Sequence, residues 1–251
     1  MSPFLDLSQL WDAAGQHPPQ DRLRAIFRAA GVQSHDPEGY FIHTPRVAIV
    51  GVGGLPVRLR DGTPHLLGQP ITVDGLRAQA EEMMGFCGFM SYLNPRNRSP
   101  AALTQAMLER GHTSTAHAFS LNLLVLGFSV AVEPELCCQR DLVHLSRVTV
   151  ARTRAQDDPP LVVHEPDAYP LLQAARAHAQ AQLQGAALGR ECRNNLYPAA
   201  KATMVLLSAS LRGFHKLVSA RNDQGKEAEF RQLLHLIHRR LQPLAPALLD
   251  A

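Results

Sequence analysis

Residues 109–156, ERGHTSTAHAFSLNLLVLGFSVAVEPELCCQRDLVHLSRVTVARTRAQ, decide the fold of this chain. The stretch has three parts. It opens on a turn, RGHTSTAH, rich in histidine and hydroxyl side chains. Residues 117–132 are strongly apolar, with Leu121, Leu123 and Val125 alternating with Asn122 and Leu124, which predicts a buried strand. Residues 129–138 can continue as a helix, since Pro134 falls in its first turns, where proline is tolerated. Residues 139–156 are polar and arginine-rich, and Pro159-Pro160 marks a boundary.

Upstream, Ser99 followed by Pro100 is the signal of a helix start, and that helix runs to about Gly111. Residues 85–100, GFCGFMSYLNPRNRSP, read as a loop because of their Gly, Asn and Pro content, and residues 75–84 read as a helix. Residues 46–60, RVAIVGVGGLPVRLR, predict a strand, a glycine turn and a second strand, with another turn at Asp61-Gly62. Residues 4–30 predict one or two short helices broken by Pro18-Pro19. Downstream, three helices are expected at 167–186, 198–218 and 227–242, the last with a clean stripe of Phe230, Leu233, Leu234, Ile237 and Leu241. The fold class is α+β with a helical C-terminal half.

Composition narrows the function. The chain has 251 residues and 45% hydrophobic content, enough for a sizeable core. No run of 18 apolar residues is present, and the first residues carry no basic leader, so a cytoplasmic location is expected and no membrane association. The net charge of +3 and the 6% aromatic content do not suggest a nucleic-acid surface; an anionic small molecule suits them better. Four cysteines without a C-x-x-C argue against a disulfide framework or a zinc ribbon. The pair His235 and His238 lacks a third ligand at metal spacing, so no metal is expected. GVGG at 51–54 lacks the G-x-G-x-x-G spacing of a dinucleotide loop and reads as a hairpin turn.

Two clusters carry candidate chemistry. His112, Ser114 and His117 lie in the turn before the apolar run. They either cap that turn locally or form a cradle for a phosphate or cofactor, and spacing favours neither. Arg140, Arg147, Arg152 and Arg154 follow the apolar run; guanidinium forks clamp phosphate well, but a solvated basic loop has the same composition. No Ser/His/Asp or Cys/His triad can be assembled.

The order of these features resembles the flavin-dependent thymidylate synthases of the ThyX family. There a G-H-x-S-V-x-E-H segment precedes a hydrophobic strand and an R-H-R-x-x-S-x-N-x-x-S-x-R-Y loop. Gly111, His112, Ser114, Gly127, Ser129 and Leu136 match, and Arg140 falls on the second arginine of R-H-R. The family glutamate falls on His117. A two-residue shift would instead place Arg140 on the first arginine and Arg152 on the R of R-Y, and both registers stand. Further on, TMVLLSASLRGFHKLV at 203–218 and KEAEFR at 226–231 resemble T-x-x-N-x-R-S-L-x-H-F-L-x-L-R and A-Q-x-E-I-R. Ser210, Leu211, Phe214, Leu217, Glu229 and Arg231 match, while the family's asparagine and two arginines fall on Leu207, Ala209 and Val218.

The resemblance spans about residues 75–245 and implies a ThyX-like domain over 71–251, with 1–70 an extension or a diverged entry segment. It implies a mixed sheet flanked by helices and a homotetramer. It also implies an activity: FAD-dependent transfer of a methylene from methylenetetrahydrofolate to C5 of dUMP or a related pyrimidine nucleotide, with NADPH as reductant. On this view His112, Ser114, His117 and Arg140 hold the flavin, and Arg147, Arg152, Ser146 and Arg212 hold the nucleotide. A non-catalytic protein that kept the fold and binds a nucleotide, a flavin or a partner is the competing expectation.

Overall fold

In the computed structural model, residues 2–92, 99–137, 144–147, 158–184, 197 and 199–250 are described, so Arg140, Arg152 and Arg154 lie outside the described residues. The apolar run folds as the long strand β8 (Ser120–Ser129), the middle of a five-stranded antiparallel sheet. Its neighbours are β3 (Arg46–Val52) and β11 (Ala202–Ser210), with β4 (Leu55–Pro56) and β9 (His144–Arg147) at the two edges. The expected hairpin turn at GVGG joins β3 to β4, with Gly53 at φ 56° and Gly54 at φ 82°. Positive φ at both turn positions matches the twist of paired strands.

Both faces of β8 are buried, which explains its near-continuous apolar sequence. Leu121, Leu123 and Val125 pack into the larger core, together with Phe214, Phe230 and Leu234. Leu124 and Leu126 pack against Leu10, Leu23, Phe27 and Ile42 on the other side. Each such leucine, fully buried, stabilises the fold by about 1.5–3 kcal/mol. The second face is covered by the N-terminal helices α1 (Leu7–Gly15) and α2 (Arg22–Ala29), which Pro18-Pro19 separates as expected. Asp6 anchors them. Its carboxylate accepts from Ser8 N–H at 2.9 Å, from Leu59 N–H at 2.8 Å and from Arg58 at 3.1 Å. Burial alone would raise its pKa, but those hydrogen bonds outweigh burial and hold it below the usual carboxylate range.

Two small sheets complete the strands. One joins β1 (Gln33–Ser34), β2 (Phe41–Thr44) and β10 (Leu161–Val162), with β2 and β10 parallel. The other is the meander β5 (Arg58–Arg60), β6 (Thr63–Leu66) and β7 (Gln69–Pro70). The architecture is α+β, as the sequence predicts, and residues 1–70 contribute β3 to its central sheet.

Two expectations fail. Residues 85–92 are not a loop: the helix α3 (Val73–Tyr92) runs straight through them. Gly85 and Gly88 are there for close approach to the helix α4 (Pro100–Leu108), which starts at the Ser99 cap as expected. A Cβ on Gly85 would stand 2.4 Å from the Pro100 carbonyl oxygen, and one on Gly88 2.1 Å from Met107 Sδ. The second failure is at 198–218, which is not one helix. Its first half is β11 and its second the helix α7 (Leu211–Ser219). Met204, Leu207, Leu211 and Phe214 fit helical spacing, but Val205, Leu207 and Ala209 also alternate with the less buried Met204, Leu206 and Ser208. The strand wins because β8 offers pairing partners to nine residues, from Ala202↔Ser129 to Ser210↔Ser120, with one register shift between Thr203 and Met204. Among the described residues the other α-helices are α5 (Glu133–Cys137), α6 (Tyr169–Leu183), α8 (Ala228–Leu241) and α9 (Pro246–Leu249).

Candidate functional site

The turn RGHTSTAH is built by the end of α4. Gly111 N–H donates to Leu108 C=O at 2.9 Å and His112 N–H to Met107 C=O at 3.0 Å, the paired closure of a Schellman motif. Thr113–Ala118 then form a single 3-10 helix that turns Thr115 and Ala116 inward. His112, Ser114 and His117 are left exposed on its outer side. Local capping of the turn falls to backbone groups and to Thr115, whose hydroxyl reaches the His112 carbonyl at 3.5 Å.

His117 does make one long-range contact. Its Nδ1 lies 3.0 Å from Ser210 Oγ, and the same oxygen accepts from Gly213 N–H at 3.2 Å to cap α7. The Ser210 hydroxyl donates to Nδ1 when that nitrogen is unprotonated and accepts from it when it carries the proton. Leu211 N–H also donates to Phe119 C=O at 2.9 Å, so the 3-10 helix and the start of α7 are locked side by side. Arg212 follows one residue on. Among the described residues no carboxylate pairs with it. One turn further along, burial pushes His215 below the usual histidine range, and the cations Arg221 and Arg212 push it the same way. The outer face of α7 is therefore a positive surface around a neutral imidazole.

The structure thus joins His117 to Ser210, two residues before Arg212, and places His112 and Ser114 on the same exposed turn as His117. It does not gather Ser146 and Arg147 with them. Those residues lie on the edge strand β9, opposite Leu206 and Val205. Val205 is five residues from Ser210, about 17 Å along an extended strand. Arg140 and Arg152 lie outside the described residues. Among the described residues no cluster of metal ligands forms.

Sequence reasoning missed three groups. Ser210 matches the family pattern but was given no role because its segment reads as helix interior; a serine directly before the first helical residue is an N-cap signal. Asn122 reads as a polar position in the β8 strand and Ser208 as a residue inside the expected 198–218 helix, yet Asn122 Nδ2 donates to Ser208 Oγ at 2.9 Å. With Gly51 and His144 they form a row across four strands, Gly51↔Asn122↔Ser208↔His144. Beside this row lies a cleft of about 140 Å³ bordered by Leu7, Gly54, Pro56 and Leu206. A Cβ at residue 51 would stand 2.9 Å from Asn122 Oδ1, so glycine there keeps room for the amide.

No family model and no curated protein matches this chain. Solved structures do. A flavin-dependent thymidylate synthase ThyX from Helicobacter pylori, complexed with FAD and dUMP, superposes with a TM-score of 0.59 at 13% identity over 68% of this chain and 94% of that one. A Helicobacter pylori ThyX structure with FAD and dUMP gives 0.57 at 15% identity over 68% and 95%. At this identity the likeness is one of fold: the chain carries nearly the whole ThyX architecture, with about a third of its own length beyond it.

Proposed function

We propose that this chain is a flavin-dependent thymidylate synthase-like protein whose site lies where the 3-10 helix meets the start of α7. The observation that carries the reading is the fold likeness over 94% of a chain solved with FAD and dUMP. The local chemistry fits a phosphate-bearing ligand. Arg212 has no carboxylate partner among the described residues, and burial, with Arg221 and Arg212 adding to it, holds His215 below the usual histidine range, so the surface is positive. His112, Ser114 and His117, with Arg140, would hold FAD; Arg212 at the junction would hold one end of the pyrimidine nucleotide, and Ser146, Arg147 and Arg152 would have to reach it from the β9 side of the sheet. FAD, reduced by NADPH, would supply the hydride for methylene transfer from methylenetetrahydrofolate to C5 of the pyrimidine. The chain's own part is binding, orientation and positive charge, and it offers no nucleophile for the reaction. A homotetramer in the cytoplasm belongs to the same proposal.

One observation favours the second reading, a non-catalytic protein of this fold. Leu207, Ala209 and Val218 stand where the resemblance expects an asparagine and two arginines, and they are 0%, 1% and 0% exposed within the apolar core. A core packed that closely leaves no space for polar arms. The absorbance of the purified protein near 450 nm, with FAD titration, tests flavin binding; no chromophore and no uptake would remove the flavin reading. Growth of a thymidine-requiring strain without thymidine separates the two readings, since only the enzyme supports it.

A further inference from the structure

Arg46 opens β3 and Arg240 lies in the last turn of α8. Arg240 Nε donates to the Val47 carbonyl at 2.9 Å, which seats its guanidinium against the backbone next to Arg46. Arg46 donates one Nη2 bond to the Ser2 carbonyl at 3.3 Å, and its Nε is buried with no acceptor. Both side chains are only partly exposed, and among the described residues neither is paired with a carboxylate. Burial pushes Arg46 below the usual arginine range and the facing Arg240 adds to it; burial does the same to Arg240. Guanidinium groups nonetheless stay charged in proteins. Two like charges therefore face each other, half out of water, with N–H donors unspent.

We propose that Arg46 and Arg240 form a binding site for a phosphate-class oxyanion. Two guanidinium forks present several N–H donors and two positive charges, which match a tetrahedral dianion better than chloride or a single carboxylate. The anion would bridge β3 and the end of α8 and remove the repulsion between the two arginines. The site is separate from the proposed flavin site. Arg46 pairs with Leu126, whereas the flavin junction lies at Ser120, six residues or about 20 Å along β8. It does not depend on that reading, and the Arg46 variants separate phosphate bound here from phosphate bound at Arg212.

The test is calorimetric titration and thermal melting with inorganic phosphate, at constant ionic strength set by chloride. The variants are Arg46→Gln and, as a control on the exposed β5 strand, Arg60→Gln. Wild type and R60Q should bind phosphate saturably and melt at higher temperature with it, while R46Q should bind at least tenfold more weakly. Should R46Q lose its far-ultraviolet dichroism, R46K serves instead; it keeps the charge, loses the fork and should also weaken binding. Phenyl phosphate as a second probe separates sources: binding of both anions means a phosphoryl group on a larger molecule fits, and binding of inorganic phosphate alone means a free anion. Absence of saturable binding in wild type, or equal binding by wild type and the Arg46 variants, overturns the proposal.

Discussion

The two ends of β8 treat their polar groups in opposite ways. At the Ser129 end, the serine is buried and both its donors are satisfied by one side chain: N–H and Oγ each donate to Glu229 at 2.7 Å. At the Ser120 end, His117 is exposed, Ser210 Oγ is shared between that imidazole and the cap of α7, and among the described residues no carboxylate pairs with Arg212. The first end is closed and self-sufficient, and its chemistry is stability. The second has donors and charge to spare, which is what a ligand site requires. Yet Ser129 and Glu229 match the ThyX pattern as well as Ser114 and Ser210 do. A match to a family pattern therefore marks either kind of position, and only the geometry separates them.

Substitutions at the closed end should cost the most stability. The largest effect is expected for Gly127→Ala. Gly127 sits at φ 78°, and a Cβ there would meet Val32 Cγ1 at 2.8 Å and Ile42 Cγ2 at 3.2 Å. Left-handed backbone costs an L-residue about 1–2 kcal/mol and overpacking about 1–3 more, so a loss of roughly 3–4 kcal/mol should appear in urea denaturation. A loss under about 1 kcal/mol would mean that the β2 side of β8 yields freely. Next comes Glu229→Ala, which strips two acceptors from a buried serine and should cost about 2–3 kcal/mol. If E229A unfolds at the wild-type urea midpoint, the closed end is not closed.

How much of this was legible in the sequence differs along the chain for physical reasons. β8 was legible because a strand buried on both faces is apolar almost throughout, and its alternation is reinforced by Asn122. The α1–α2 break, the Ser99 cap and the 51–54 hairpin were legible because Pro, Ser and Gly act through local backbone geometry. The first half of α3 was legible at 75–84 but its second half was not, because Gly85 and Gly88 read as breakers; their use, admitting α4 to within van der Waals contact, depends on a partner fifteen or more residues away. β11 was not, because its apolar pattern satisfies periods of two and of 3.6 over the same residues, and pairing with β8 decides between them. The site shows the same limit. The exposed trio His112, Ser114 and His117 could be named from the turn, but the His117–Ser210 contact joins residues 93 positions apart.

At the open end, Ser210→Ala should cost only about 1 kcal/mol, the usual loss of an N-cap. It also frees His117 Nδ1, so FAD uptake should weaken more than stability does. His117→Ala is the cleaner test of the comparison, because an exposed side chain should change stability by no more than about 0.5 kcal/mol. FAD affinity unchanged in H117A, measured by fluorescence quenching, would remove the 3-10 helix from the site.

The smallest expected effect is that of pH, and it too separates the two ends. Burial holds His215 and His235 below the ordinary histidine value of 6.5; the cations Arg221 and Arg212 add to this at His215, and Arg221 with His238, Arg239 and Arg231 at His235. At about one unit or more above pH 6.5 both groups are almost wholly neutral in the folded and unfolded chains and contribute little pH dependence. As pH falls below 6.5 the unfolded chain takes up protons first, so stability is lost, and the loss levels off once pH passes below the depressed folded values. The melting temperature should therefore drop between pH 7.5 and 5.5. Arg212→Ala removes one of the repelling cations at His215 and should flatten that drop, whereas Glu229→Ala at the closed end should lower the whole curve without changing the slope that His215 and His235 impose. A slope unaffected by R212A would show that burial alone keeps His215 neutral, and the positive surface proposed to meet a phosphate would lose its electrostatic support.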